Sequence, residues 1–258
     1  MSKRIVKFPA PRAEGAKWFE IRNATEESAD IFLYDYIGDS WSDTSAAAVV
    51  TQLKNLKSRK INLRINFPGG DVFDGLAIYN ALARHDAEVT TYIDGLAASI
   101  ASVIALAGRR VLIADNAMMM IHDPVAVTMG TAGELRKHAD VLDQIKESII
   151  NTYAGRTALE RGELAEMMSE ETWFTASEAV EHGFADEAIA GVQAAAGFDL
   201  RLYGFLRLPP RELYPQKTHT AAAAPAPAAP PPASAKPPAS ATPRSLLMRK
   251  QALLEKSA

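Results

Sequence analysis

Between Ile61 and Ile121 the chain alternates β-prone runs with short apolar helical runs, and this alternation narrows the fold more than any other feature. Ile61 to Asn66 reads as a strand, followed by the turn Phe67-Pro68-Gly69-Gly70. A helix then runs from about Phe73 to Arg84, carrying Leu76, Ile78, Tyr79 and Leu82. The strand Val89 to Ile93 leads to an apolar helical stretch, Ile100 to Leu106, before strands near Arg110 to Ile113 and Met118 to Ile121. Strands separated by helices of this length connect by right-handed crossovers and build a largely parallel sheet. The expected class is α/β.

Upstream, Lys17 to Ile21 and Asp30 to Ile37 alternate apolar with polar residues, as half-buried strands do. Ser42-Asp43 is expected to cap a helix from Ala46 to Leu56, with Val49, Val50, Leu53 and Leu56 on its apolar side. The longest helix is expected from near Thr131 to about Tyr153. Leu135, Ala139, Leu142, Ile145, Ile149 and Tyr153 form its apolar stripe, with Glu, Lys and Asp opposite. At roughly 30 Å it is long enough to project from the body onto another subunit, or to lie along its own sheet. Glu163 to Met168 and Ala176 to Glu181 read as shorter helices, the latter ended by Gly183. Composition divides the chain into a folded domain over 1–216, an Ala/Pro-rich disordered linker over 217–243 and a short basic, leucine-bearing tail over 244–258.

The absence of cysteine removes disulfides, thiolate-held zinc, iron–sulfur clusters and cysteine-protease chemistry together. A net charge of −3 offers no electrostatic reason to expect nucleic acid or an anionic membrane as partner. The longest apolar stretch, Gly95 to Gly108, is too short to span a bilayer. The segment Met1 to Pro9 lacks the apolar core of a signal peptide, so the expected location is the cytoplasm. No His, Asp and Glu cluster has metal-ligand spacing, so no metal is expected. His85 and His138, near helix ends or faces, are expected to be exposed.

Ser99 carries the strongest chemical signal. In Asp94-Gly95-Leu96-Ala97-Ala98-Ser99-Ile100-Ala101-Ser102 a strand meets a helix, so the hydroxyl sits on a sharp bend beside the helix's unpaired N–H groups. Acyl transfer needs that setting, because its tetrahedral intermediate carries an oxyanion. Ala97 and Ala101 leave room for the bend, although the Gly-x-Ser-x-Gly elbow is absent. Ser102 is a competing hydroxyl, one turn inside the helix. Pro68-Gly69-Gly70 lets backbone N–H groups approach a ligand closely. Met118-Met119-Met120-Ile121-His122-Asp123-Pro124 sets a histidine at the end of an apolar strand. A further segment, Glu170-Glu171-Thr172-Trp173-Phe174-Thr175-Ala176, leads through Ala179-Val180-Glu181-His182-Gly183 to Asp186.

Taken in order, these segments resemble the Clp protease family of serine peptidases, over roughly Ile31 to Ile189. The stretch Pro68 to Tyr79, with Glu-Thr-Trp-Phe-Thr-Ala, is most similar to the branch that matures phage heads. The resemblance implies the Clp protease and crotonase-like fold: repeated β-β-α units, a mostly parallel sheet and a long projecting helix. It makes Ser99 the nucleophile, His122 the general base, and the N–H groups of Gly70 and Ile100 the oxyanion hole. Glu171 stands where many relatives have Asp, with Glu170 and Asp186 as the other carboxylates that remain open for that role. Gly69, Gly70 and Asp71 would bind an extended substrate strand.

No cofactor is implied. The implied partners are capsid or scaffold proteins as substrates and further copies of the chain in a homo-oligomeric ring, within the host cytoplasm or procapsid interior. The N-terminal segment departs from the pattern by which relatives dock an ATPase unfoldase, which weighs against that partner. The rival readings are a housekeeping Clp protease subunit, a crotonase-like acyl-CoA enzyme, and a non-catalytic component of capsid assembly. Ser99 with His122 speaks against the acyl-CoA reading, since that chemistry does not need the pair there.

Overall fold

The computed structural model describes residues 18–37 and 46–191, together with Leu200 and Phe205. The Ser42-Asp43 cap, the 217–243 linker and the 244–258 tail lie outside the described residues. Two strands open the fold, β1 (Phe19–Arg22) and β2 (Ser28–Leu33), followed by α1 (Ala46–Asn55), β3 (Lys60–Phe67) and α2 (Val72–Ala83). Then come β4 (Glu88–Ala98), α3 (Ile100–Ala105), β5 (Arg110–Ala114) and β6 (Met118–Ile121). The remainder is α4 (Ala132–Ala154), α5 (Arg161–Ser169), β7 (Thr172–Thr175), α6 (Ala176–Glu181) and β8 (Glu187–Ile189).

These strands form one eight-stranded sheet in the order β1-β2-β3-β4-β5-β8, with β6 on β4 and β7 on β6. Only the β1–β2 and β6–β7 pairs are antiparallel. The mostly parallel α/β expectation therefore holds. Alternation sorts β2 cleanly: Ala29, Ile31 and Leu33 enter the core, while Asp30 and Phe32 take the other face. On that second face Asn62 donates to Asp30 at 2.8 Å. Nearby, Asp94 accepts the Arg64 fork at 2.7 and 2.5 Å and the Tyr34 hydroxyl at 2.6 Å. Burial and the Asp94 carboxylate push the Tyr34 hydroxyl well above the usual tyrosine range. This cluster fastens β2, β3 and β4 together below the ends that carry the site.

β4 departs most from the sequence reading. It does not stop at Ile93 but continues through Asp94 and Gly95 to Ala98. Gly and Ala are poor strand formers, and tertiary pairing overrides them. The first part of β4 pairs with β5 through Ile93, while its last residues pair with β6, Leu96 with Met118 and Ala98 with Met120. The register with β3 shifts between Ile65 and Phe67 as β4 bends. Ser99 thus leaves directly from a strand end. Upstream, β2 ends at Leu33 rather than Ile37, and Ile37 returns only as a single parallel bridge to Gly70.

α4 settles its two open placements by dividing them. Thr131 caps it with a reciprocal capping box to Glu134. Ile149, Ile150 and Tyr153 are buried, and the Tyr153 ring meets Phe184 edge-on at 5.5 Å. Leu135 and Val141, farther toward the start, stay 42% and 48% exposed, so that half projects from the body. Gly183, with φ of 79°, ends α6 in the left-handed conformation expected after a helix C-terminus. Among the described residues no helix is long and apolar enough to cross a membrane.

Candidate active site

Ser99 sits between β4 and α3 with φ of 56° and ψ of −131°. A side chain at positive φ costs about 1–2 kcal/mol, and the surrounding bonds hold it there. The Ser99 N–H donates to Met120 O at 3.0 Å, which extends the β4–β6 ladder by one step. Its carbonyl accepts the Ser102 N–H at 3.0 Å and the Ser102 hydroxyl at 2.6 Å. Ser102 is fully buried and lies 2.7 Å from the Tyr153 hydroxyl. Of the two serines, Ser102 is a buried support, and Ser99 is the one turned out on the bend.

β6 delivers the histidine. Met119 and Ile121 point into the main core, while Met118 and Met120 point to the opposite face. His122 continues the Met118–Met120 row just past the strand end, on the side of Ser99. Its Nε2 lies 2.8 Å from Ser99 Oγ, within hydrogen-bond reach. Asp123, the next residue, donates its N–H to Met168 O at 3.0 Å and pairs with Lys146 at 2.7 Å.

β7 brings the carboxylate. Its antiparallel register with β6 ends on Ile121 opposite Thr172, so His122 leaves β6 at the end where Glu171 enters β7. Glu171 is 2% exposed and has φ of 54°, a left-handed residue that ends α5 and turns the chain into β7. Its N–H donates to Met168 O at 3.1 Å. Asp186, one of the alternative acids, is committed elsewhere: it accepts the Val111 N–H at 2.7 Å and pairs with Arg156. Glu170 is the C-cap of α5.

The glycine turn closes the opposite side. The Gly69 carbonyl accepts the Ile37 N–H at 3.1 Å, and the Asp71 N–H donates to Ile37 O at 3.0 Å. No described peptide is cis, so Gly70 turns its own N–H and C=O away from Ile37, toward the β4 side of β3. Gly69 has φ of 107°, and a Cβ there would lie 2.7 Å from Ser99 Cβ. A Cβ on Gly70 would lie 2.0 Å from Ile37 O. Both positions therefore demand glycine. Ile100 opens α3, where the first N–H groups have no intrahelical partner. Asp71, expected to bind the substrate strand, fixes the turn and the start of α2. Its N–H goes to Ile37, its carbonyl accepts the Gly75 N–H at 3.0 Å, and its carboxylate caps α2 through the Asp74 N–H at 2.9 Å.

Sequence reading gave no role to four residues around the site, Lys146, Ser169, Trp173 and Phe205. Lys146 and Ser169 surround Asp123, with the Lys146 ammonium donating to the Ser169 hydroxyl at 2.8 Å. Trp173 and Phe205 carry rings onto the histidine side of the site. Asp123 and Trp173 stood inside the quoted motifs. Phe205 had no signal beyond the apolar spacing after Leu200. His85, expected to be exposed, instead lies 3.1 Å from Leu53 O and accepts the Ala87 N–H at 3.0 Å.

Comparison with known proteins gives one consistent answer. The sequence matches the family model described as Clp protease over residues 13–191. It is 31% identical over 196 residues to the ATP-dependent Clp protease proteolytic subunit of Nuphar advena, a match spanning 75% of this chain and 96% of that one. Proteolytic subunit 3 of Rhodococcus jostii (strain RHA1) is 32% identical over 163 residues, 62% of this chain and 80% of the relative. Proteolytic subunit 2 of Thermobifida fusca (strain YX) is 32% identical over 168 residues, 63% and 83% respectively.

Proposed function

The chain belongs to the Clp protease family of serine peptidases, and we propose that it cuts peptide bonds through Ser99 as nucleophile and His122 as general base. The observation that supports this most is the 2.8 Å approach of His122 Nε2 to Ser99 Oγ. His122 takes the hydroxyl proton as Ser99 attacks the substrate carbonyl, then gives it to the departing amine. Water repeats the sequence on the acyl-enzyme. Glu171 holds the imidazole in the tautomer that keeps Nε2 as acceptor. The Gly70 and Ile100 N–H groups receive the oxyanion, a contribution of roughly 3–4 kcal/mol per donor in comparable hydrolases. No step calls for a metal or an organic cofactor.

The substrates in this reading are capsid or scaffold proteins of an assembling phage head, cut within the host cytoplasm or procapsid interior. Support comes from the Pro68 to Tyr79 stretch with Glu171 to Ala176, and from the Ala/Pro-rich composition of 217–243. Proteins of the family form oligomeric rings, and the projecting half of α4 with exposed Leu135 and Val141 suits contact with another copy. A second reading, a housekeeping subunit fed by an ATPase, is supported by the relatives, which are proteolytic subunits of ATP-dependent Clp proteases.

Incubating the protein with phage capsid and scaffold proteins separates the two. Discrete products with wild type and none with Ser99→Ala support head maturation. Degradation that appears only when an ATP-dependent unfoldase is added supports the second reading.

A further inference from the structure

Phe205 lies beyond the stretch that matches the family, residues 13–191, yet its ring stands edge-to-face against His122. Their centroids are 5.9 Å apart and the planes cross at 78°. The same ring meets Trp173 at 5.5 Å and 88°. Leu200, 2% exposed, is buried with Leu96, Ala98, Met118 and Met120, and Trp173 and Phe205 pack on this group. Strand alternation explains the arrangement. The side chains of β4 and β6 that turn away from the main core form an apolar strip, and the strip ends at Ser99 and His122. Phe205 and Trp173 are its outer wall. Both rings are half-buried.

We propose that Phe205 determines specificity: with Trp173 it forms an apolar wall of the cleft beside the leaving-group half of the substrate. This inference rests on the reading of His122 as general base. The base returns its proton to the departing amine, so groups packed on the imidazole flank the residue that follows the scissile bond. An apolar side chain there gains contact with the wall. A charged one gives up hydration without a partner. Contacts of this kind discriminate by about 10- to 200-fold.

The test uses the full chain and the variants Phe205→Ala, Phe205→Leu and Phe205→Lys. Denatured casein is digested and the residue after each cut is identified by mass spectrometry, while a fluorophosphonate probe reports Ser99 independently of that subsite. The labelling rate of each protein normalises its cleavage, so that a change in Ser99 reactivity, expected where Phe205→Lys brings an ammonium near His122, is separated from a change in residue preference. Wild type and Phe205→Leu should favour apolar residues after the cut by about tenfold. Phe205→Ala should lose that preference, and Phe205→Lys should shift it toward Asp and Glu. An unchanged residue preference after the cut in every variant overturns the role of Phe205. Failure of the wild type to label overturns the Ser99–His122 reading and this proposal with it, so the two failures are distinct.

Discussion

Lys146 pairs with Asp123 at 2.7 Å and so ties the base of α4 to the residue that follows His122. The hydroxyl of Ser169, on α5, receives the same ammonium at 2.8 Å and donates to Asp123 at 3.1 Å. The imidazole position is therefore coupled to a helix whose far half stands clear of the body. Lys146→Met is expected to lower kcat about tenfold with KM unchanged, because a misplaced base costs catalysis while substrate contacts remain. Lys146→Arg should restore most of the rate. Steady-state peptidase kinetics on the three proteins checks both parts.

The two serines should separate by phenotype. Ser99→Ala is expected to abolish labelling by a fluorophosphonate and all peptide cleavage. Ser102→Ala removes a buried hydroxyl that serves Ser99 O and the Tyr153 hydroxyl, at a cost of about 1–3 kcal/mol. It should still label. Thermal unfolding alongside the labelling assay distinguishes a lost nucleophile from a weakened support.

Glu171→Gln keeps the shape but cannot hold the imidazole by charge, so kcat should fall by about 10³- to 10⁴-fold, as for neutral replacement of other triad acids. Glu170→Gln should remain near wild type. A large loss in Glu170→Gln with little in Glu171→Gln would transfer the role to the neighbouring residue.

Gly69→Ala forces a methyl to within 2.7 Å of Ser99 Cβ and 2.9 Å of Ala98 O, at φ of 107°. The expected result is a chain that melts at lower temperature and labels at least about tenfold more slowly while still folded, since both the turn and the nucleophile must shift. Circular dichroism fixes the temperature at which the labelling rates are compared.

Glu178 accepts the Thr175 N–H at 2.8 Å and the Thr175 hydroxyl at 2.7 Å, and these bonds hold its carboxyl below the usual glutamate range. A lowered folded value means that the stabilisation is complete above the ordinary glutamate range and is lost as pH falls through the lowered one. Glu178→Gln should flatten that acid limb. Urea midpoints measured from neutral pH into acid give the comparison.

Where side-chain pattern and local pairing agree, the sequence reading and the structure coincide. β6 spans Met118–Ile121 and α6 spans Ala176–Glu181, both as the pattern indicates. β7 and β8 escaped notice because Thr172–Thr175 and Glu187–Ile189 are too short to show a period and lack the unbroken apolar run that marks β6. The tail of β4 escaped for a different reason. Gly95, Ala97 and Ala98 do not favour a strand, and only the partner β6 makes them one. Motif order pointed to Ser99, His122 and Glu171, but no local pattern foretold Lys146 or Phe205 at the same place.

The sequence by itself determined the alternating architecture, the glycine turn, the hydroxyl at a strand-to-helix junction and the family. Each of these is carried by neighbouring residues, through periodicity, backbone propensity and motif. Only the tertiary structure decided that Ser99 meets His122 across 23 positions, that buried Glu171 precedes β7 where His122 follows β6, and that Phe205 closes the same side. Those meetings depend on parallel β4–β6 and antiparallel β6–β7 pairing between distant segments, and a strand's choice of distant partner is settled by packing and burial rather than by its local sequence.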